Sequence, residues 1–266
     1  MTTVLGIDAA WTATQPSGVA LVQKVGTRWS CRAVAPSYGA FGQASRGGPV
    51  DWRAPAAAGT PDVEQLLAAA TRLAGHAPEV IAVDMPISTV AITGRRAADS
   101  EVSRRFGAQG CSTHSPSTVR PGPLGEALSR QLEAAGFEIA TTVSAPGTTG
   151  RLLEVYPHPA LPALLNRDQR VPYKVSKSSK YWRGASLAVR IEKLLAEFNA
   201  ILSGLSEHID GIPLQLPRAH DVKSLSSLKR YEDGIDALVC CWVGCQYLDG
   251  RAVPLGDATG AIWCPV

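Results

Sequence analysis

Residues 3–10 read Thr-Val-Leu-Gly-Ile-Asp-Ala-Ala, an apolar run that ends in an aspartate. A run of about four to eight residues rich in Val, Leu and Ile and bounded by turn formers reads as a buried strand. An unpaired carboxylate is costly in such a place, so Asp8 either meets a cation or stands at the exposed end of the strand. Residues 80–86, Val-Ile-Ala-Val-Asp-Met-Pro, repeat the device, and their proline cannot continue a central strand. Between the two runs, residues 61–75 predict a helix. Asp62 and Glu64 open it, Leu66, Leu67, Ala70 and Leu73 recur at helical spacing, and a glycine closes it. A helical crossover makes the strands it joins parallel. If those two strands are neighbours, Asp8 and Asp84 share one carboxyl edge.

The 266 residues, 45% hydrophobic and 18% charged, suffice for one large α/β domain or two small ones. A net charge of +3 does not by itself demand an anionic partner. Six cysteines without a CxxC pair, three of them crowded at 240, 241 and 245, read as buried thiols of a cytoplasmic protein rather than a disulfide framework. No basic leader precedes an apolar run and no apolar segment reaches about 18 residues, so neither export nor a membrane span is expected.

Residues 18–22 and 29–35 follow the first strand at short intervals and predict an antiparallel meander. Residues 36–61, rich in Gly, Ala and Pro, predict a long loop, either functional or a plain insertion. Residues 93–123 are polar and irregular; Cys111 and His114 there have Cys-x-x-His spacing, which alone makes no zinc site. Further helices are expected over 122–136, 184–202 and 231–248, and a buried strand over 152–156 that contains Glu154. The last helix carries Asp233 and Asp236, three apart and so on one face.

Carboxylates at two strand ends, one within a third strand and a pair opening a buried helix would repel one another unless cations intervene. An all-oxygen set without a His/Cys cluster favours Mg²⁺ or Mn²⁺. The alternative is that the strand-end aspartates cap loops and Asp233 caps its helix.

Several segments together resemble a known family: Gly6-Ile-Asp-Ala-Ala-Trp11, Val83-Asp-Met-Pro86, Arg104-Arg-Phe-Gly107, Leu153-Glu-Val-Tyr-Pro-His158 and Tyr231-Glu-Asp-Gly-Ile-Asp-Ala-Leu238. The order of meander, helix, acidic strand and terminal Asp-rich helix resembles the ribonuclease H-like superfamily, and the terminal helix looks like that of the Holliday-junction resolvases. Within that superfamily the whole chain is similar to the family catalogued as domain of unknown function 429, regarded as nucleases. The resemblance implies an α/β fold, a ribonuclease H-like mixed sheet of an antiparallel three-strand meander plus parallel strands, flanked by helices. It implies a single domain over 1–266 with insertions near 36–60, 93–123 and 166–220. Carried across by position, Asp8, Asp84 and Asp236 would be metal ligands, with Asp233 or Glu154 as the fourth. The resolvases would place a glutamate where this chain has Asp84, and Glu154 comes later. The implied activity is two-metal hydrolysis of nucleic-acid phosphodiesters through Asp8, Asp84, Glu154 and Asp236.

Residues 167–193 hold eight Lys or Arg against two acids, interleaved with Tyr173, Tyr181 and Trp182. Lys174, Lys177, Lys180 and Arg183 beside Trp182 could grip phosphates and stack bases; the other reading is a solvated loop with aromatics tucked beneath it. His114 and His158 are candidate helpers near the metals. Two other functions compete: a non-catalytic binding module on the same fold, and a phosphotransferase of the actin and sugar-kinase type. The latter shares a Gly-Ile-Asp strand, but this chain is short for its two copies and shows no Walker-type loop.

Overall fold

The computed structural model describes residues 2–266. β1 (Thr2–Asp8), β2 (Gly18–Val25) and β3 (Arg28–Ala35) form the expected antiparallel meander. After α1 (Tyr38–Ala44) and α2 (Val63–Ala74), β4 (Val80–Val83) returns parallel to β1. The Asp62 side chain caps α2 by accepting from Gln65 N at 3.0 Å, and Gly75 ends it in the left-handed region at φ 84°. Next come α3 (Ala97–Phe106), α4 (Pro123–Ala134), β5 (Glu138–Ile139), β6 (Arg151–Val155) and α5 (Pro157–Leu165). The single turn α6 (Ser178–Tyr181), α7 (Leu187–Ser206), β7 (Ile209–Asp210), α8 (Lys229–Leu248) and the hairpin β8 (Ala252–Asp257) and β9 (Gly260–Pro265) complete the chain.

The strands form one mixed sheet in the order β7-β3-β2-β1-β4-β6-β9-β8, with β5 also paired to β6. β1, β4, β6 and β9 run parallel, so their carboxyl ends lie at one edge. Side chains alternate across a strand, and here both faces are apolar. Val4, Val80, Ala82 and Leu153 pack with α5, α7 and α8, while Leu5, Ile7, Ile81 and Leu152 pack with α1, α2 and α4. A helix-covered sheet needs this, and it explains why the strand runs are uninterrupted rather than alternating. Among the described residues no helix is long and apolar enough to cross a membrane, and all six cysteines are free.

α8 lies directly on β1 and β2. A Cβ at Gly6 would sit 2.2 Å from the Ala237 carbonyl oxygen, and one at Gly18 would sit 2.0 Å from that of Asp233. Side chains at these positions would push α8 off the sheet.

Four expectations need correction. The loop over 36–61 contains α1, whose Ser37 cap and single fully buried side chain, Phe41, are weak signals among glycines. The irregular stretch 93–123 contains α3, which buries only Ala98, Asp99 and Val102 and so lacks an apolar stripe. α5 goes unpredicted because it carries three prolines, two of them in its first turn, where no intrahelical N–H is needed. The third, Pro162, cannot donate to the His158 carbonyl one turn back; the Cys111 thiol donates to that oxygen instead, at 3.2 Å. This contact accounts for Cys111 without zinc. The C-terminal hairpin also goes unpredicted, although β9 extends the sheet beside β6.

Replacing Gly6 by alanine should destabilise the fold by about 1–3 kcal/mol or more in urea unfolding. Gly39→Ala in α1, where a Cβ meets nothing within 4 Å, should be neutral or stabilising by up to about 1 kcal/mol.

Candidate functional site

Asp8 ends β1, and Asp84 follows β4, donating its backbone N–H to the Ile7 carbonyl at 2.8 Å. The two residues therefore leave neighbouring parallel strands at the same edge. The glycine contacts that seat α8 bring its first turns to that edge as well. Lys229, Glu232, Asp233 and Asp236 recur there at helical spacing, and the three acids are buried.

Five carboxyl groups thus face one another with two ammonium groups among them. Lys229 bridges Glu232, at 3.2 Å, and Asp233; Lys174 bridges Glu232, at 3.4 Å, and Asp236. Tyr173 Oη donates to Asp236 at 2.6 Å, and Val175 N–H donates to Glu232 at 2.6 Å. Burial works against both lysine charges, but the surrounding carboxylates outweigh it and hold both pKa values above the ordinary range. Glu232 is likewise buried, yet the two lysines and the Val175 amide keep its carboxyl below the usual range.

The remaining carboxyls are undercompensated. Burial, followed by the Asp233 charge, pushes Asp8 up to about 7. Burial raises Asp236 to about 7 and Asp233 to about 6 against the pull of their lysines. Burial and the Asp8 charge lift Asp84 well above the usual range. Asp8 and Asp233 lie close enough for the two carboxyls to act on each other's proton affinity.

Glu154, the other candidate fourth ligand, is differently placed. Its two oxygens accept a bidentate pair from Arg96, both at 2.6 Å, and the Ile87 amide at 2.9 Å. Arg96 in turn pairs with Asp99 at 3.0 Å. The structure brings Asp233, not Glu154, to Asp8. Among the described residues no three His, Cys, Asp or Glu groups already enclose a point at which a metal ion could sit.

Above this acidic floor opens a cleft of about 660 Å³, whose walls include Trp11, His114, Arg120, Tyr156, His158 and Lys177. Arg170 donates to His158 Nε2, and burial with the nearby Lys174 and Arg170 charges holds that imidazole well below its ordinary pKa, hence neutral.

The basic stretch is divided by the fold. Lys174 turns inward onto Asp236, and Lys177 is half-buried in the cleft wall. Trp182 packs against the core with Lys193 over its ring at 5.7 Å, while Lys180 and Arg183 are exposed. Sequence reasoning missed Glu232 and Lys229, and it set Tyr173 among the aromatics of the basic stretch, whereas the ring is fully buried on Asp236. The pattern Lys229-x-x-Glu-Asp-x-x-Asp236 carried the signal for the two missed residues, a polar stripe on an otherwise apolar helix.

Two predictions follow from the charges. Between about pH 4 and pH 7 the unfolded chain has released the Asp8, Asp233 and Asp236 protons that the folded chain still holds, so these groups make the metal-free protein less stable as pH rises. Glu232, with its lowered pKa, acts in the opposite sense. Asp8→Asn keeps the size and supplies a permanent donor to Asp233. It should raise Tm at pH 8 by about 2–4 °C or more, the shift that about 1 kcal/mol gives a chain of this size, and the gain should vanish near pH 4. Glu154→Gln should instead cost roughly 1–3 kcal/mol in urea unfolding by weakening a charged hydrogen-bonded pair, while leaving Mn²⁺ affinity in calorimetry unchanged.

No curated protein and no solved structure matches the chain. A family model does, over residues 6–259, under the description "Protein of unknown function (DUF429)". The matched span takes in Gly6 beneath α8, every carboxylate of the floor and both cleft walls, and the chain is therefore a member of the DUF429 family.

Proposed function

We propose that the protein is a Mg²⁺- or Mn²⁺-dependent nuclease that hydrolyses phosphodiester bonds of nucleic acid, on a ribonuclease H-like fold. The observation that carries this reading is the charge imbalance of the floor: five acidic side chains, four with raised pKa values, against two lysines. Hard oxygen donors with surplus negative charge fit a small divalent cation. The meander, the parallel acidic strand and the terminal Asp-bearing helix support the fold assignment.

Asp8, Asp84 and Asp236 would hold the metal, with Asp233 as the fourth carboxylate. Metal held by these carboxylates would supply an activated water and charge stabilisation for a departing oxygen. Asp8, between Asp84 and Asp233, is suited to the shared position. Tyr173 fixes the Asp236 carboxyl through its 2.6 Å hydrogen bond. Lys174 places a permanent positive charge beside the floor, where it offsets the charge of an incoming phosphate. His158, whose pKa burial and then its cationic neighbours hold well below the ordinary value, lies in the cleft wall and adds no repulsion to a metal ion.

A second reading is a non-catalytic nucleic-acid or protein binding module. The lysine pairs on Glu232, Asp233 and Asp236 favour it, because they partly neutralise the floor without metal. Labelled single-stranded and duplex substrates with Mg²⁺ or Mn²⁺ separate the two. Under the nuclease reading the wild type cleaves, and Asp236→Asn loses at least about 100-fold in rate, the scale of removing a charge-stabilising group. A wild type that binds nucleic acid and cleaves none of it establishes the module instead.

A further inference from the structure

We propose, resting on the phosphodiester reading above, that the cleft takes single-stranded nucleic acid, with one base stacked on Trp11 beneath Arg120 and the backbone gripped by Lys177. Size and depth come first. A volume of about 660 Å³ lies within the roughly 300–1,000 Å³ typical of small-molecule clefts. Glu232 and Asp233 at its floor are each at most 2% exposed, and Asp8 and Asp84 beside them are half-buried. A duplex carries its phosphates on a broad, stiff cylinder with a major groove about 12 Å wide, which fits poorly into a cleft of this volume. A single strand fits better, because its backbone bends and its bases splay.

The wall chemistry supplies the grip. Trp11 packs against the α1/α2 core and carries the Arg120 guanidinium over its ring at 5.9 Å. Trp11 lies three residues after Asp8, and the strand-to-loop turn between them is pinned by Ala10 N–H donating to Ser17 Oγ at 3.0 Å. Arg120 is held on a closed turn in which its amide donates to Ser117 Oγ at 3.0 Å and its carbonyl accepts from Ser117 N–H at 2.8 Å. An indole and a guanidinium held by separate loops form a platform that stacks any base without reading its identity.

Lys177 and His114 complete the rim. Neither Lys177 nor Arg120 forms an ion pair among the described residues. Burial and the neighbouring Arg170 and Lys174 charges depress the Lys177 pKa, and burial with Lys177, Arg170 and Arg120 depresses that of His114. Lys177 and Arg120, with no ion-pair partner of their own among the described residues, are free to take an anion. The phosphate next to the one over the floor would provide it.

The test uses full-length protein with Ca²⁺, a thymidine single strand of about ten nucleotides, and its duplex with the complementary strand. Binding is read by anisotropy and by tryptophan fluorescence. The single strand should bind at least about ten-fold more tightly than the duplex. Trp11→Ala should weaken single-strand binding by about ten-fold or more, on the scale of one lost base stack, and leave duplex binding unchanged. Trp11→Phe should keep most of the affinity while losing the fluorescence quenching, which holds even if the alanine variant folds poorly. Equal affinity for both strands, or unchanged single-strand affinity in Trp11→Ala with normal Tm, overturns the inference. Cleavage of duplex that depends on Asp8 would overturn it while sparing the nuclease reading. Trp11-dependent single-strand binding without cleavage in Mg²⁺ or Mn²⁺ would support it and overturn the nuclease reading.

Discussion

The close approach of α8 to the β1–β2 hairpin is the constraint on which the site depends. Hydrogen atoms at Gly6 and Gly18 leave room for the Ala237 and Asp233 carbonyl groups against the strands. Gly244 repeats the arrangement from the helix side, where a Cβ would meet Val4 Cγ1 at 2.5 Å. With the helix this near, the first turns of α8 and the end of β1 share a volume of a few side chains. Asp8, Asp233 and Asp236 are forced together whatever their mutual repulsion. Packing against both apolar faces of the sheet stabilises what the charges oppose.

Two buried charge clusters in one protein resolve that opposition differently. Around Glu154 the arginine fork satisfies two carboxylates with well-formed hydrogen bonds, and both Glu154 oxygens have partners. That cluster ties α3 and the segment after β4 to β6. Around Asp8 the two lysines reach only three of five carboxylates, and burial raises the pKa of the other two. A cluster with more acids than cations, open to a cleft, would be relieved by a ligand of positive charge. Structural ion pairs rarely leave such a surplus.

The same edge of the sheet also sets the polarity of the cleft. Strand ends and α8 deliver acids to the floor, while loops that cross above it deliver Arg120, His114 and Lys177 to the walls. The positive run over 167–193 does not act as one patch, because successive residues of an irregular segment point in different directions. One lysine enters the floor, another joins the wall, and the exposed remainder faces solvent. Charge density along a chain therefore overstated the surface it would form.

Apolar runs ending in aspartate, a capped amphipathic helix between them and aspartates three apart on a terminal helix were legible in the sequence, because periodicity and capping are written in neighbouring residues. They placed Asp8 and Asp84 on one edge and named Asp233 and Asp236 on α8. α1, α3 and α5 were not legible, since glycines, a missing apolar stripe and prolines mask helices that tertiary contacts hold in place. The partners of the buried charges were not legible either. Arg96 meets Glu154 across 58 positions and Lys174 meets Asp236 across 62. The sequence by itself determined the meander, the strands that end at or carry acids, and the helices with a clear apolar stripe. The tertiary structure decided that Glu154 is consumed by an arginine and that Glu232, Lys174 and Lys229 join the floor, because a buried charge takes its partner from whichever elements the sheet order brings to the same edge.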